Sequence, residues 1–99
     1  MDETALDLLE AAYNHALPTV DEGQARLLFR ANDAANALGL TTAQRDTPEA
    51  EAYRRAISLL VGSGAVLLAD IGGQAQVGEE FYEITTCGGA LLREAGRIA

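Results

Sequence analysis

The sequence predicts a mostly helical α+β domain, and three observations lead to that prediction. Apolar residues recur at helical spacing over three stretches in the first two thirds of the chain. Two short apolar runs follow, separated by the glycine-rich segment 71–78, as in a β-hairpin. The second run passes at Thr85 into a fourth helical pattern. The chain of 99 residues is long enough for one domain with one modest core.

The first two helices are predicted from capping signals and apolar stripes. Residues 4–17 form the first helix, which Thr4 can cap and which ends before Pro18. Thr19 opens the second helix with the capping-box sequence TVDE. That helix is expected over residues 20–38, with a weak point at Gly23 and a left-handed glycine cap at Gly39.

The third helix has the clearest start signal in the chain. Residues 41–47 lack periodicity and contain many turn formers, which predicts a loop. Thr47 and Pro48 then provide a cap and a proline at the first helical position. Tyr53 lies on the apolar stripe of this helix, which favours packing, although its neighbours Arg54 and Arg55 leave a binding face open. The glycines of the segment 62–64 end the helix.

The last third of the chain predicts two strands and a helix. Residues 65–70 and 79–85 form the strands, and the glycine-rich tip 71–78 joins them. Alternation in the second strand places Tyr82 and Ile84 on one face. Thr85 ends this strand and caps the last helix, and Gly88 in the first turn leaves room for a neighbouring backbone.

The charge distribution is strongly acidic and uneven. The net charge is −8, and all seven basic residues are arginines. Five of these arginines lie in residues 26–55, which is therefore the one stretch that does not repel polyanions. Acidity also keeps a small protein soluble, which is the simpler explanation of the total. Because few bulky residues are available for the core, we expect dimerisation to complete it.

No catalytic or metal-binding constellation can be read from the sequence. His15 is the only histidine and Cys87 the only cysteine, so neither a zinc site nor an internal disulfide is predicted. We predict no catalytic residues, no cofactor and no enzymatic activity. Cys87 in the first turn of the last helix is either a small core or interface residue or a redox-sensitive thiol. The acidic N-terminus and the absence of a long apolar run predict a cytoplasmic protein without a membrane span.

The segment Tyr82–Leu92 reads Tyr-x-Ile-Thr-x-x-Gly-x-x-Leu-Leu and resembles the end of the wing in winged-helix regulators of the MarR and PadR type. The segment 34–40 resembles the second helix of a helix-turn-helix, and 56–70 resembles the end of a recognition helix followed by a wing strand. The resemblance implies one winged-helix domain over residues 1–99. Its parts are an N-terminal helix (1–18), a helix-turn-helix region (19–64), a two-stranded wing hairpin (65–85) and a C-terminal helix (86–99).

The resemblance implies a transcriptional regulator that binds double-stranded DNA. The third helix would enter a groove, and Arg45, Arg54 and Arg55 would contact the nucleic acid. The C-terminal helix would pair two subunits in a homodimer.

An alternative is a winged-helix module that binds a protein instead of DNA. Glu49 and Glu51 at the start of the third helix face phosphates unfavourably, and the tip 71–78 carries neither arginine nor lysine. The loop after Leu40 is also longer than the turn in those families. Since a fold does not fix a function, the sequence leaves both DNA binding and protein binding open.

Overall fold

The computed structural model describes residues 2–21, 23–69 and 79–99. Four helices and four strands follow one another as α1 (Glu3–His15), β1 (Leu17–Asp21), β2 (Gln24–Arg30), α2 (Ala31–Ala37), α3 (Pro48–Gly62), β3 (Val66–Ala69), β4 (Phe81–Ile84) and α4 (Thr86–Glu94). The strands form one antiparallel sheet in the order β1-β2-β4-β3. The architecture is α+β, and about half of the chain is helical.

The predicted second helix is wrong over most of its length. Leu17–Asp21 and Gln24–Arg30 pair as the two strands of a β-hairpin, and α2 begins only at Ala31. β1 and β2 pair from Leu17 opposite Leu28 to Asp21 opposite Gln24. Gly23 sits in the connection with a φ of +79°, a left-handed conformation that glycine adopts without steric cost. The position expected to weaken a helix is therefore part of a hairpin turn.

The predicted ends of α1 are wrong by about one to two residues, whereas the predicted start of α3 is confirmed. The N-cap of α1 is Asp2 rather than Thr4, since the Asp2 carboxylate accepts a hydrogen bond from the Thr4 amide at 3.0 Å, and α1 ends at His15 rather than at Leu17. α3 begins as predicted, since the Thr47 hydroxyl accepts from the Ala50 amide at 3.2 Å and Pro48 follows. Gly39 has the predicted left-handed conformation at the end of α2, with a φ of +72°.

The predicted pair of C-terminal strands is confirmed, and it extends the sheet from β2. β3 pairs with β4, and β4 pairs on its other side with β2. Phe29 lies opposite Tyr82, and the two rings stack at 5.8 Å between centroids. The expected tip 71–78 lies outside the described residues.

The core lies between the four helices and one face of the sheet. α1 contributes Leu8 and Leu9, and the strands contribute Phe29, Val66 and Ile84. Strand alternation points these three strand residues to the same face, as predicted for Ile84 and Tyr82. More than half of the buried apolar residues are alanines, which explains how the helices approach closely with so few bulky side chains.

α4 is fixed to the sheet by a threonine and a glycine. The Thr85 hydroxyl donates to the Gly64 carbonyl oxygen at 2.6 Å and accepts from the Gly88 amide at 3.1 Å. A methyl group on Gly88 would overlap the carbonyl oxygen of Ala65. The sequence prediction that Gly88 makes room for a neighbouring backbone is therefore confirmed, and that backbone belongs to the turn before β3.

Candidate nucleic-acid interface

α3 is the element on which the predicted DNA contacts depend, and it has one buried and one exposed face. Ala50, Tyr53, Ala56 and Leu60 are buried in the core. Arg54 and Arg55 are exposed, as are the acidic residues of the first turn, Glu49 and Glu51. The exposed face therefore mixes both signs of charge and begins with the acidic one.

Arg45 and Arg54 lie side by side although nine positions separate them in the sequence. The Arg54 guanidinium donates to the Arg45 carbonyl oxygen, with 3.4 Å between Nη1 and the oxygen. Both residues are exposed, and neither has a carboxylate within ion-pair distance in the part of the chain that the structure describes. Arg45, in the loop before α3, and Arg54, on α3 itself, are thus adjacent exposed arginines without a carboxylate partner among the described residues.

Arg55, the third predicted contact, is engaged within its own helix. Its Nη2 atom lies 3.0 Å from Oε1 of Glu51, one helical turn earlier. Both side chains are about two thirds exposed, so the pair is solvent-screened and weak. The structure brings Arg45 and Arg54 together and leaves Arg55 beside them with its charge partly compensated.

The loop between α2 and α3 is held by its own polar side chains. The Thr42 hydroxyl donates to the Asn32 side-chain oxygen, and the Thr41 hydroxyl accepts from the Ala43 amide at 3.1 Å. These bonds attach the loop to α2 and shape an open, uncharged cleft of about 380 Å³ lined by Asn32 and residues 41–44. The longer-than-usual loop is thus a defined element that carries Arg45 to the side of α3.

The other residues considered for chemistry do not assemble into a site. Cys87 is exposed, which contradicts a buried packing role, and its sulfur lies 3.7 Å from the Ser63 carbonyl oxygen. His15 is exposed in the last turn of α1. Glu83 pairs with Arg26 at 2.9 Å across neighbouring strands. Within the described ranges, no three histidine, cysteine, aspartate or glutamate side chains are arranged so that they could hold a metal ion.

Tyr53 packs in the core, which confirms the packing interpretation of this residue. Its side chain is buried, and its hydroxyl has no hydrogen-bond partner among the described residues. Burial raises the pKa of Tyr53 above its ordinary range, and the nearby Tyr82 and Glu80 add to the rise. A buried hydroxyl without a partner costs free energy of folding, so Tyr53 contributes shape to the core and its oxygen contributes no stabilising bond.

We expect Tyr53→Phe to leave stability at pH 8 unchanged or to raise it by about 1 kcal/mol, because it removes an unpaired buried hydroxyl. The raised pKa means that unfolded Tyr53 ionises at lower pH than folded Tyr53. The contribution of neutral Tyr53 to the free energy of unfolding is therefore fully present below about pH 10, and it is lost as the pH rises above that value. Urea unfolding at pH 8 and pH 11 should show a smaller alkaline loss for the variant. A clear loss of stability at pH 8 would contradict the absence of a partner.

A charge cluster that sequence reasoning missed joins the two ends of the described chain. The Arg97 guanidinium contacts Asp7 at 2.6 Å, Glu10 at 2.9 Å and Glu3 at 3.0 Å, all on α1. The hydrogen bonds that the Arg97 guanidinium donates to Asp7 and Glu10 raise the pKa of Arg97 further above its ordinary value. One positive charge is therefore shared by three of the six acidic residues in the N-terminal segment 1–25.

Large apolar side chains are exposed on both outer strands of the sheet. Leu17 and Val20 on β1 are 65% and 77% exposed, and Leu67 and Leu68 on β3 are 52% and 66% exposed. The alternation of apolar residues did not reveal this exposure, because it depends on which strands lie at the edges. These positions are the main apolar surface of the described chain.

Comparisons with known proteins leave the fold family open. No model of a known protein family, no curated protein and no solved structure matches the chain. Among the described residues, no helix is long and apolar enough to cross a membrane. Function must therefore be argued from the geometry of the chain itself.

Proposed function

We propose that the chain is a winged-helix domain that binds double-stranded DNA and acts as a transcriptional regulator. The proposal is supported by the elements that carry the sequence resemblance. α2 and α3 are joined by an anchored loop, the antiparallel pair β3 and β4 follows, and α4 begins at a threonine cap. In this proposal α3 faces the groove with the side opposite to its buried residues.

The observation that carries the proposal is the adjacency of Arg45 and Arg54. Phosphate contacts supply most of the affinity of a DNA-binding protein, and guanidinium groups suit them geometrically. Arg26, Arg55 and Arg97 are paired with carboxylates in the described structure, whereas Arg45 and Arg54 are not. Arg55 has a secondary role, since a phosphate must compete with Glu51 for its guanidinium.

The test is fluorescence anisotropy of a labelled mixed-sequence duplex at low and then moderate salt. We expect binding that weakens steeply with salt, because phosphate contacts release counterions. Combined Arg45→Ala and Arg54→Ala substitution should reduce affinity by about tenfold or more and lower the salt slope by roughly two.

Arg93→Ala is the matched control, since Arg93 is an exposed arginine on α4 that forms no ion pair within the described residues and lies far from α3 in sequence. Glu51→Gln releases Arg55 and removes a negative charge, so it should strengthen binding. An equal loss from Arg93→Ala and from the double substitution would show that only net charge matters. Absence of binding at low salt would contradict the proposal as a whole.

The second candidate function is contact with a protein partner, and the exposed leucines of the sheet favour it. Leu67 and Leu68 are more than half exposed on the outer strand β3, one on each face of the sheet. An edge strand with exposed apolar side chains and no charge is typical of a place where another chain pairs. If the chain binds no duplex at low salt but forms a stable complex with a protein, this candidate is favoured over the first.

The dimer expected through the C-terminal helix stays a prediction. The exposed residues of α4 are small, polar or charged: Thr86, Cys87, Ala90, Arg93 and Glu94. Leu92 is buried in the core of its own chain, and Leu91 packs partly against the same core. Within α4, no large apolar side chain is therefore fully exposed to a second subunit, and the most exposed apolar side chains lie on β1 and β3.

A further inference from the structure

The sheet has two edges, and β1 and β3 form them. Within residues 2–21, 23–69 and 79–99, the strand order β1-β2-β4-β3 pairs each of these two strands on one side only. An edge strand presents a row of unpaired backbone amide and carbonyl groups on which another strand can pair. Both edges of this sheet also carry exposed apolar side chains, so each is a candidate for contact with another chain.

The two edges differ in how they are protected. β1 contains Pro18, which has no amide hydrogen to donate, and it ends at the charged residue Asp21. β3 reads Val-Leu-Leu-Ala and contains neither proline nor charge. Natural proteins protect edge strands with proline, charge or bulges. Of the two edges, β3 lacks proline and charge within the strand.

We propose that β3 pairs with β3 of a second copy of the chain and forms a continuous eight-stranded antiparallel sheet. Two identical antiparallel edge strands in one sheet are related by a two-fold axis normal to the sheet. An even-numbered residue therefore lies opposite an even-numbered residue of the partner, and an odd-numbered residue lies opposite an odd-numbered one. The pairing can be centred on Leu67 or on Leu68. Either register brings leucines of both copies together and covers side chains that are 52% and 66% exposed in the single chain.

A second copy fits this edge better than a charged partner does. The chain carries a net charge of −8, so two copies repel each other over most of their surface. The uncharged strand Val66–Ala69 is a place where they can meet without opposing carboxylates within the paired segment. The edge also offers no charge that would select a basic or an acidic peptide. The alanine-rich core has few bulky residues, and the added contact extends it.

The experiment is sedimentation equilibrium of the full chain over about 5 to 200 µM, the range in which a modest dimer dissociates. A reducing agent is present so that the exposed Cys87 cannot form an intermolecular disulfide. We expect a monomer–dimer equilibrium. Leu68→Lys should raise the dissociation constant at least about tenfold, because it places two ammonium groups opposite or near each other across the strand pair.

Val20→Lys is the matched control, since it places the same charge at a 77% exposed apolar position on the other edge. It should leave the dissociation constant unchanged. Circular dichroism of both variants verifies folding, and Leu68→Ser offers a milder substitution should the lysine variant unfold. A monomeric wild-type chain at 200 µM would overturn the proposal. A dimer that Val20→Lys disrupts and both Leu68 variants leave intact would also overturn it.

Discussion

Gly88→Ala is expected to destabilise the protein by about 3 kcal/mol, since an added methyl group in a tightly packed site forces backbone to move. The nearest atom to that methyl group is the carbonyl oxygen of Ala65, and Ile84 Cγ2 follows at 3.1 Å. The Ala65 oxygen accepts hydrogen bonds from the Thr85 amide and hydroxyl, both at 3.0 Å. Relief of the overlap therefore disturbs the bonds that attach α4 to the sheet.

Gly89→Ala is the control, because Gly89 lies one position further along the same helix. A methyl group there meets only Arg93 Nη1 at 3.5 Å, which is ordinary contact. Alanine has the higher helix propensity, so this variant should be more stable than the wild type by up to about 1 kcal/mol. Urea unfolding of the two variants measures the difference. Equal effects of the two substitutions would show that α4 does not approach Ala65 as described.

Phe29→Ala is expected to destabilise the protein by about 3 to 5 kcal/mol, the usual cost of removing a buried phenylalanine side chain. Phe29 is 1% exposed and is the largest fully buried side chain of the core. Its ring stacks on Tyr82 across the β2–β4 pair at an interplanar angle of 21°. The substitution removes apolar burial and an aromatic pair at the same time.

Phe81→Ala provides the comparison, since Phe81 is the neighbour of Tyr82 on β4 but points to the opposite face of the sheet. Its ring is only partly buried and carries the Arg30 guanidinium 5.7 Å above its centroid. We expect less than half the loss seen for Phe29→Ala, measured by urea unfolding. A larger loss of stability for Phe81→Ala than for Phe29→Ala would contradict the assignment of the core to the face of the sheet that carries Phe29.

The elements predicted correctly are those with local signals. Thr47 with Pro48 starts α3, and Thr85 starts α4, because a capping hydroxyl acts within three residues of itself. The strand that ends at Ile84 was visible from alternation. These signals required no knowledge of the rest of the chain.

The hairpin at residues 17–30 could not be predicted in the same way. The apolar run Leu27–Phe29 fits either a buried strand or one face of a helix, and periodicity does not separate them. β2 is selected by its pairing with Tyr82 and Ile84 on β4, more than fifty positions away. Non-local pairing of this kind overrides local propensity. Pro18 and Gly23 are compatible with a hairpin, but the capping-box pattern that begins at Thr19 led to the prediction of a helix.

The candidate site shows the same division between local and non-local information. The Glu51–Arg55 pair follows from helical spacing and could have been read from the sequence. The contact between Arg45 and Arg54 depends on the path of the loop that Asn32 and Thr42 fix. The exposure of Leu67 and Leu68 depends on strand order. Neither the contact between the two arginines nor the exposure of the two leucines can be read from a pattern in the sequence.

The cluster around Arg97 also bears on how quickly the fold opens. Its contacts join residues separated by 87, 90 and 94 positions, so forming them closes nearly the whole chain into one loop. The entropy of loop closure favours forming shorter loops first, so these contacts form late, after the sheet has brought the ends together. Contacts that are absent from the folding transition state govern the unfolding rate. We therefore expect Arg97 to lower the unfolding rate and to have little influence on the folding rate.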